Sequence, residues 1–210
     1  MNYDMTAAVT ALRAADPRLA MVIAQAPFCN MGTRDPRDPT AADLFQSLLR
    51  SIVYQQLSGK AAATIHARVE ALFPGVPEPA ALLALSDEAL RGAGLSRNKT
   101  LALRDLAAKT LDGTVPALET LEQWDDEAVI RRLVQVRGIG RWTVEMLLMF
   151  RLRRPDVLPV DDLGVRKGFR LTYGLDGLPD AAQLRERAEA WRPYRSVASW
   201  YLWRAVELWG

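Results

Sequence analysis

Cysteine and histidine are nearly absent from this chain of 210 residues, which contains one of each, Cys29 and His66. A single cysteine excludes an internal disulfide, a thiolate-held iron–sulfur cluster and a cysteine-based zinc site. His66 lies in an alanine-rich segment with a helical pattern, where a surface or packing role is expected. Catalytic triads that need a histidine are therefore disfavoured.

Long apolar runs are also missing. No stretch reaches the ~18–20 apolar residues that a membrane-spanning helix needs. The N-terminus lacks the basic-then-apolar pattern of a signal peptide. Half of the residues are apolar and a quarter are charged, which is typical of a soluble globular protein. We expect a cytoplasmic location and no membrane partner.

Convincing strand pairs, repeats and low-complexity linkers are absent, and the helical period dominates. In the predicted helix 41–57, Leu44, Leu48 and Ile52 share one apolar stripe. Residues 141–153 and 194–209 are predicted to be further helices. The fold class predicted is all-α. A set of aromatic residues recurs at helical spacing near the C-terminus and is expected in the core: Trp200, Tyr201, Trp203 and Trp209.

Positive charge is unevenly distributed along the chain. Residues 131–170 contain ten Lys/Arg and four Asp/Glu, a net charge of +6, although the whole chain has a net charge of only +2. Such a concentration is typical of a nucleic-acid contact. The alternative is a solvated helix face.

The positive segment contains a short glycine turn between two helical patterns, Gly138-Ile139-Gly140, flanked by Arg137 and Arg141. A turn that opens a helix presents unpaired backbone N–H groups and the positive end of the helix dipole to an anion. Ile139 is expected to anchor the turn in the core. The pattern indicates a DNA phosphate site, and a plain helix–helix connector is the alternative.

A pair of carboxylates, Asp161 and Asp162, follows the next apolar helix. Asp162 lies 20 residues after Trp142, a distance that lets the chain return to the same side of the molecule. A fixed carboxylate beside a phosphate site and an aromatic plane suits bond cleavage at a nucleotide. Helix N-capping is the alternative role for either aspartate.

Residues 133–143 (LVQVRGIGRWT) and 159–162 (PVDD) together resemble the signature of helix-hairpin-helix base-excision DNA glycosylases, and most closely the 3-methyladenine DNA glycosylase II branch. Residues 52–58 (IVYQQLS) and 191–196 (WRPYRS) are also similar to that branch. The resemblance runs from about residue 41 to the C-terminus. Larger members carry an additional N-terminal β-rich domain, for which this chain is too short.

The resemblance implies a two-lobed all-α fold. One lobe, residues 41–156, would carry the hairpin. The other would combine residues 1–40 with residues 157–210, and the active-site cleft would lie between the lobes. No cofactor is required in such a fold, and a monomer is expected.

The resemblance also implies roles for individual residues. Asp162 is expected to be the catalytic carboxylate, and Trp142 occupies the position where strand-nicking members have a nucleophilic lysine. The base pocket is expected to contain Trp142, Tyr194 and Met146. Tyr194 replaces the tryptophan that is usual in this branch, and Met146 replaces an aromatic residue, so both departures bear on substrate range.

DNA contacts are implied for two segments. Leu57 is expected to fill the gap left by an extruded base, with Gln56 contacting the neighbouring bases. The hairpin residues expected to bind the DNA backbone are Arg137, Gly138, Ile139, Gly140 and Arg141. The main-chain carbonyls of Val134, Val136 and Ile139 are the expected ligands of a possible monovalent cation.

The predicted function is a monofunctional glycosylase that flips alkylated bases out of double-stranded DNA and excises them by hydrolysis, acting in base excision repair with the chromosomal DNA. A non-catalytic helix-hairpin-helix DNA-binding module is the alternative. A helical interaction protein without DNA binding is a third possibility, which the local arginine excess disfavours.

Overall fold

The structure is a computed structural model that describes residues 3–31 and 43–210. Within these ranges the regular structure is helical and no strand occurs, which confirms the predicted all-α class. None of the helices there is both long and apolar enough to cross a membrane. The helices are α1 (Met5–Ala15), α2 (Pro17–Gln25), α3 (Leu44–Tyr54), α4 (Gly59–Glu70), α5 (Pro79–Ala84), α6 (Asp87–Gly92), α7 (Arg97–Leu111), α8 (Leu118–Glu122), α9 (Asp126–Leu133), α10 (Arg141–Met146), a π-helix (Leu147–Arg151), α11 (Leu163–Tyr173), α12 (Ala181–Ala188), a 3₁₀-helix (Glu189–Trp191) and α13 (Arg195–Trp209).

Many of the helices begin at an aspartate or serine whose side chain accepts a hydrogen bond from a backbone N–H of the first turn. Such N-caps satisfy donors that have no partner within the helix. The residues that cap in this way are Asp4, Asp16, Asp43, Ser86, Ser96, Asp125, Asp162 and Asp180. Short polar side chains in the sequence therefore mark where many of the helices begin.

The chain divides into two compact units. The first comprises Met1–Thr33 and Glu145–Gly210, and the second comprises Arg34–Val144. Residues 145–156 belong to the first unit, although the sequence-based division grouped them with the second. The boundary predicted between residues 40 and 41, and the start of the predicted helix 41–57, lie outside the described residues.

In the second unit, α7 packs against α3 and α5. Leu103 and Leu106 of α7 are fully buried, as is Ile52 of α3. This packing brings Lys99, in the first turn of α7, to the C-terminal end of α3. The Lys99 ammonium donates hydrogen bonds to the carbonyls of Val53 (2.7 Å) and Gln55 (2.8 Å).

In the first unit, α13 packs against α11 and α2. The approach of α11 to α13 is close because Gly168 has no side chain. A Cβ atom at Gly168 would lie 1.9 Å from the carbonyl oxygen of Leu202, so no other residue fits there without displacing one helix.

A buried carboxylate joins the N-terminal helices to the rest of the first unit. Asp16 is only 1% exposed. Its Oδ1 accepts from the backbone N–H groups of Arg18 and Leu19, at 3.0 and 3.1 Å. Its Oδ2 accepts from the Tyr173 hydroxyl and from the Trp191 indole N–H, the latter at 2.9 Å. Both carboxylate oxygens are therefore used to connect α2 to α11 and to the 3₁₀-helix.

The predicted helix 141–153 is not a single α-helix. It changes at Leu147 into a π-helix that ends at Arg151, and the N–H of Leu152 donates to the carbonyl of Leu147, five residues back, at 3.0 Å. A π-turn inserts one residue, but the run Leu147, Leu148, Met149 and Phe150 is apolar at every position, so hydrophobic spacing does not reveal the insertion. Such turns are frequent at functional sites.

Candidate functional site

The hairpin connects α9 to α10 through a turn over residues 134–140. Gly138 has a φ of +79°, a conformation that glycine adopts without steric cost. A Cβ atom there would also lie 3.3 Å from the Cβ of Ala102. Val136 and Ile139 are buried at 1% and 4% exposure, so Ile139 anchors the turn as expected. Gly138 and Gly140 remain exposed.

Side chains of α7 hold the turn from one side. The Asp105 carboxylate accepts from the backbone N–H of Arg137 at 2.7 Å and from the Lys109 ammonium at 2.8 Å. Lys109 also donates to the carbonyl of Gln135. Burial by itself would raise the pKa of Asp105, but these hydrogen bonds and the nearby positive charges outweigh burial and lower it. The turn is therefore braced by a carboxylate that stays ionised.

The two arginines beside the glycines differ in their surroundings. Both are exposed. The Arg141 guanidinium forms an ion pair with Glu127, and this hydrogen bond is the largest cause of the lowered pKa of Glu127. Arg141 therefore brings less net positive charge to the hairpin than the sequence alone indicates. The backbone N–H of Arg137 is bonded to Asp105, so its side chain, rather than its amide, is the group available to a phosphate.

The predicted cation ligands are main-chain carbonyls of this turn. The carbonyl of Val136 accepts from the N–H of Ile139 at 3.0 Å, and a second lone pair on that oxygen is compatible with a cation. Carbonyl oxygens suit hard cations. No group of three or more His, Cys, Asp or Glu side chains suited to a metal occurs among the residues that the structure describes.

Leu57, the predicted wedge that would fill the gap left by an extruded base, lies just after α3 in residues 55–58, here called the wedge segment. Leu57 is 39% exposed, and Gln56 has a φ of +57°, a strained conformation for a residue other than glycine. The Lys99 ammonium fixes the end of α3 beneath this segment. The side-chain amide of Gln55 donates to the carbonyl of Gly138 at 2.8 Å. The structure thus brings the wedge segment and the hairpin together, a contact that the sequence did not predict.

The candidate catalytic carboxylate belongs to the first unit. Asp162 is half-buried and caps α11, whereas Asp161 is exposed. Oδ1 of Asp162 accepts from the N–H of Val165 at 2.7 Å and from the Trp203 indole N–H at 2.8 Å. Asp162 therefore performs the N-cap role that was its alternative. The hydrogen bond from Trp203, which belongs to α13, is not part of the N-cap and holds the same carboxylate oxygen from a second helix.

The expectation that the C-terminal aromatic residues form the core is correct only in part. Trp200 and Tyr201 are buried. Trp203 and Trp209 are half-buried, so the prediction is wrong for these two. Sequence reasoning missed Trp203 as a partner of Asp162 because its position in α13 continues the stripe of buried residues, and 41 residues separate the pair.

The predicted base-pocket residues fall in both units. Trp142 belongs to the second unit, where its ring is 47% exposed. Met146 and Tyr194 belong to the first unit with Asp162, and both are half-buried. The Tyr194 ring lies 6.2 Å from the ring of Tyr3, centroid to centroid.

Asp156, which sequence reasoning did not single out, holds the chain on both sides of Tyr194. Its carboxylate accepts from Arg192 at 2.6 Å and from Arg195 at 2.7 Å. The backbone N–H of Tyr194 also donates to the carbonyl of Trp191, at 2.7 Å. The tyrosine is thus carried by a well-fixed segment.

Comparison with known proteins gives consistent matches. The family profile described as "HhH-GPD superfamily base excision DNA repair protein" matches residues 49–193. DNA-3-methyladenine glycosylase 1 of Schizosaccharomyces pombe is 37% identical over 177 residues, which cover 83% of this chain and 78% of that protein.

Solved structures are similar over almost the whole chain. A 3-methyladenine DNA glycosylase from Schizosaccharomyces pombe in complex with abasic DNA has a TM-score of 0.80 and 33% identity, and the match covers 96% of this chain and 97% of the other. A DNA-3-methyladenine glycosidase from Bacillus halodurans has a TM-score of 0.81 and 40% identity, with 94% and 88% covered.

Proposed function

Because the chain belongs to the HhH-GPD superfamily of base excision DNA repair proteins, we propose that it is a DNA glycosylase that removes alkylated bases of the 3-methyladenine and 7-methylguanine type. The bond broken is the N-glycosidic bond, and the product is an abasic site. The observation that carries the proposal is the fixed carboxylate of Asp162, which accepts two N–H groups on one oxygen.

Asp162 would act on the deoxyribose. Breaking an N-glycosidic bond develops positive charge on the sugar, and a fixed carboxylate in a water-poor site stabilises that charge. The same carboxylate would align or deprotonate the water that attacks the sugar carbon. A base with formal positive charge leaves as a neutral species, so the reaction needs no general acid to protonate it.

Water, rather than an amine, would be the nucleophile. A combined glycosylase and lyase needs an amine to form a Schiff base with the opened sugar. Trp142 occupies the position of that lysine, and an indole cannot perform the step. The proposed enzyme is therefore monofunctional and leaves the DNA strand intact.

Trp142 and Tyr194 would bind the extruded base, with Met146 as an adaptable apolar contact. The electron-rich face of an aromatic ring attracts a cationic base by about 0.5–2 kcal/mol, which favours alkylated over ordinary purines. Flipping costs a few kcal/mol of unstacking, and Leu57 would offset that cost by filling the vacated space.

The hairpin would hold the DNA backbone close to the lesion. Exposed backbone at Gly138 and Gly140 allows close approach of a phosphate, and the Arg137 side chain adds positive charge. A monovalent cation held by the carbonyls of Val134, Val136 and Ile139 would supply a bridging charge between protein and phosphate. Gln56 would contact the bases beside the lesion.

The experiment that tests the proposal uses Asp162→Asn. Asparagine caps helices about as well as aspartate, so this variant keeps α11 while removing the negative charge. We expect base release from alkylated duplex DNA, detected by mass spectrometry of the freed bases, to be lost in this variant. Binding to abasic-site DNA should persist.

Asp161→Asn is the matched control, because the neighbouring carboxylate is exposed, and it should release bases like the wild type. Strand nicking is measured in the same samples before and after alkali, and only the alkali-treated sample should be cleaved. Undiminished base release by Asp162→Asn would refute the assignment. Salt-sensitive DNA binding with no base release by the wild type would indicate a non-catalytic module instead.

A further inference from the structure

Trp203, in α13, donates a side-chain hydrogen bond to the candidate catalytic carboxylate at the start of α11. We propose that Trp203 is a positioning residue, which fixes the orientation of the Asp162 carboxylate by donating its indole N–H to Oδ1. This inference rests on the proposed role of Asp162. It adds to the proposed machinery for base release a residue of α13 that lies 41 residues after Asp162 and outside the motifs that carry the resemblance.

The geometry explains why a second donor matters. The terminal torsion of an aspartate side chain is broad and roughly two-fold, so a carboxylate held by one hydrogen bond can rotate and exchange its oxygens. The backbone N–H of Val165 and the indole N–H of Trp203 both reach Oδ1, at 2.7 and 2.8 Å. Two donors from different helices on the same oxygen select one rotational state of the carboxylate.

The indole is itself held in place. The Phe150 ring, in the π-helix, stacks on the Trp203 ring with a centroid separation of 5.8 Å and an interplanar angle of 22°. An offset stacked pair restricts the tilt of both rings. The N–H bond vector is therefore fixed by packing before it meets the carboxylate, as a preorganised donor must be.

Two glycines on one face of α11 allow the indole to reach Asp162. Gly168 permits the close approach of the α13 backbone. A Cβ atom at Gly164 would lie 2.6 Å from Cδ1 and 2.9 Å from Nε1 of Trp203, and 3.1 Å from Oδ1 of Asp162. Any side chain at residue 164 would occupy the place of the indole N–H group. The hydrogen bond between Trp203 and Asp162 therefore requires glycine at residue 164.

The first test compares Trp203→Phe with Trp209→Phe under single-turnover conditions on alkylated duplex DNA. Phenylalanine keeps an aromatic ring for Phe150 but has no N–H donor. Loss of a partner that orients a metal ligand costs about 10–100-fold, and by analogy we expect the rate constant for base release to fall at least about tenfold. The dissociation constant for abasic-site DNA should stay unchanged, because Trp203 acts on the reacting step and not on DNA binding.

Trp209 provides the matched control, since it lies in the same helix and donates its indole N–H to Gln25 at 3.3 Å. Trp209→Phe should leave the rate constant at the wild-type value. A purely structural loss in Trp203→Phe would instead lower the melting temperature and weaken DNA binding together with the rate.

The second test is a double-mutant cycle with Gly164→Ala, which displaces the indole without removing it. If both substitutions act by breaking the same hydrogen bond, the double variant is no slower than Trp203→Phe alone. Multiplicative losses would overturn the inference, as would a wild-type rate in Trp203→Phe. If Asp162→Asn remains active, the proposed function fails. If Asp162→Asn is inactive and Trp203→Phe is not impaired, only this inference fails.

Discussion

Replacing Asp16 with asparagine should destabilise the first unit strongly, although Asp16 is not part of the candidate site. A carboxylate offers two acceptor oxygens, and both are used here: Oδ1 by the backbone of α2, and Oδ2 by Tyr173 and Trp191. A carboxamide offers one oxygen. In either orientation of the amide, the NH₂ group takes the place of one carboxylate oxygen, and the N–H or O–H groups that donated to that oxygen lose their acceptor.

The magnitude follows from the buried donors. If the amide oxygen keeps capping α2, the Tyr173 hydroxyl can rotate and accept from the NH₂ group, but the Trp191 indole N–H cannot. A buried donor left without an acceptor costs ~1–3 kcal/mol. The Arg187 guanidinium, 3.5 Å from Oδ2, also loses its charged partner. We expect the free energy of unfolding to fall by about 2–4 kcal/mol.

The assay is urea denaturation of the wild type, Asp16→Asn and the control Asp4→Asn. Asp4 also caps a helix, accepting from Thr6 at 2.8 Å, but in an exposed position, so its replacement should change stability by less than about 0.5 kcal/mol. A loss for Asp16→Asn no larger than that of the control would refute the argument from the second oxygen.

The pH dependence supplies a second measurement of the same effect. Burial by itself would raise the pKa of Asp16, but the hydrogen bonds from Tyr173, Trp191 and Leu19 and the charge of Arg187 outweigh burial and lower it. A group with a lowered pKa in the folded state stabilises the fold fully above its unfolded value, about 3.9. That contribution is lost as the pH falls through the lower, folded value. The stability difference between wild type and Asp16→Asn should therefore stay constant near neutral pH and shrink in acid.

Two further substitutions test the packing and the wedge. Leu57→Ala should slow base release while lowering the free energy of unfolding by less than about 1 kcal/mol, because Leu57 is 39% exposed. Leu111→Ala, at an exposed position of the same unit, is the control. Equal rates of base release for the two variants would contradict the wedge role. Gly168→Ala should lower the free energy of unfolding by about 3 kcal/mol or more, since its Cβ would lie 1.9 Å from the carbonyl oxygen of Leu202. Gly177→Ala, where a Cβ meets nothing within 4 Å, should be close to neutral in chemical denaturation, and similar midpoints for both would contradict the close-approach argument.

Features set by local chemistry could be predicted from the sequence. The helical period and the capping aspartates specify most helices, and the glycines with their flanking arginines specify the hairpin. The sequence predicts Asp162 as the candidate carboxylate because the family resemblance points to this residue, and its N-cap alternative is the role that the structure shows. These signals act over a few residues, within the range where spacing along the chain determines spacing in the fold.

Features that depend on contacts between distant segments were missed. Lys99 reaches the end of α3 because α7 packs against α3. Asp105 of the same helix reaches the turn beside Gly138, where it accepts from the N–H of Arg137. Trp203 continues the apolar stripe of α13, so its pattern gave no sign that its N–H meets Asp162. The π-helix at Leu147–Arg151 begins with four consecutive apolar residues, so the sequence has no periodicity there that could show the inserted residue. Each of these contacts follows from tertiary packing, which the periodicity of one segment does not encode.

The hydrogen bond between Gln55 and Gly138 would fix the distance along the DNA between the extruded base and the phosphate bound at the hairpin. The Gln55 side-chain amide ties the segment that carries Leu57, the proposed wedge, to the hairpin, the proposed site for the DNA backbone, and both belong to a single compact unit. The number of nucleotides between the extruded lesion and the phosphate bound at the hairpin would then be the same for every lesion. Footprints on different lesions should share that offset, and the duplex, rather than the enzyme, would have to bend to meet it.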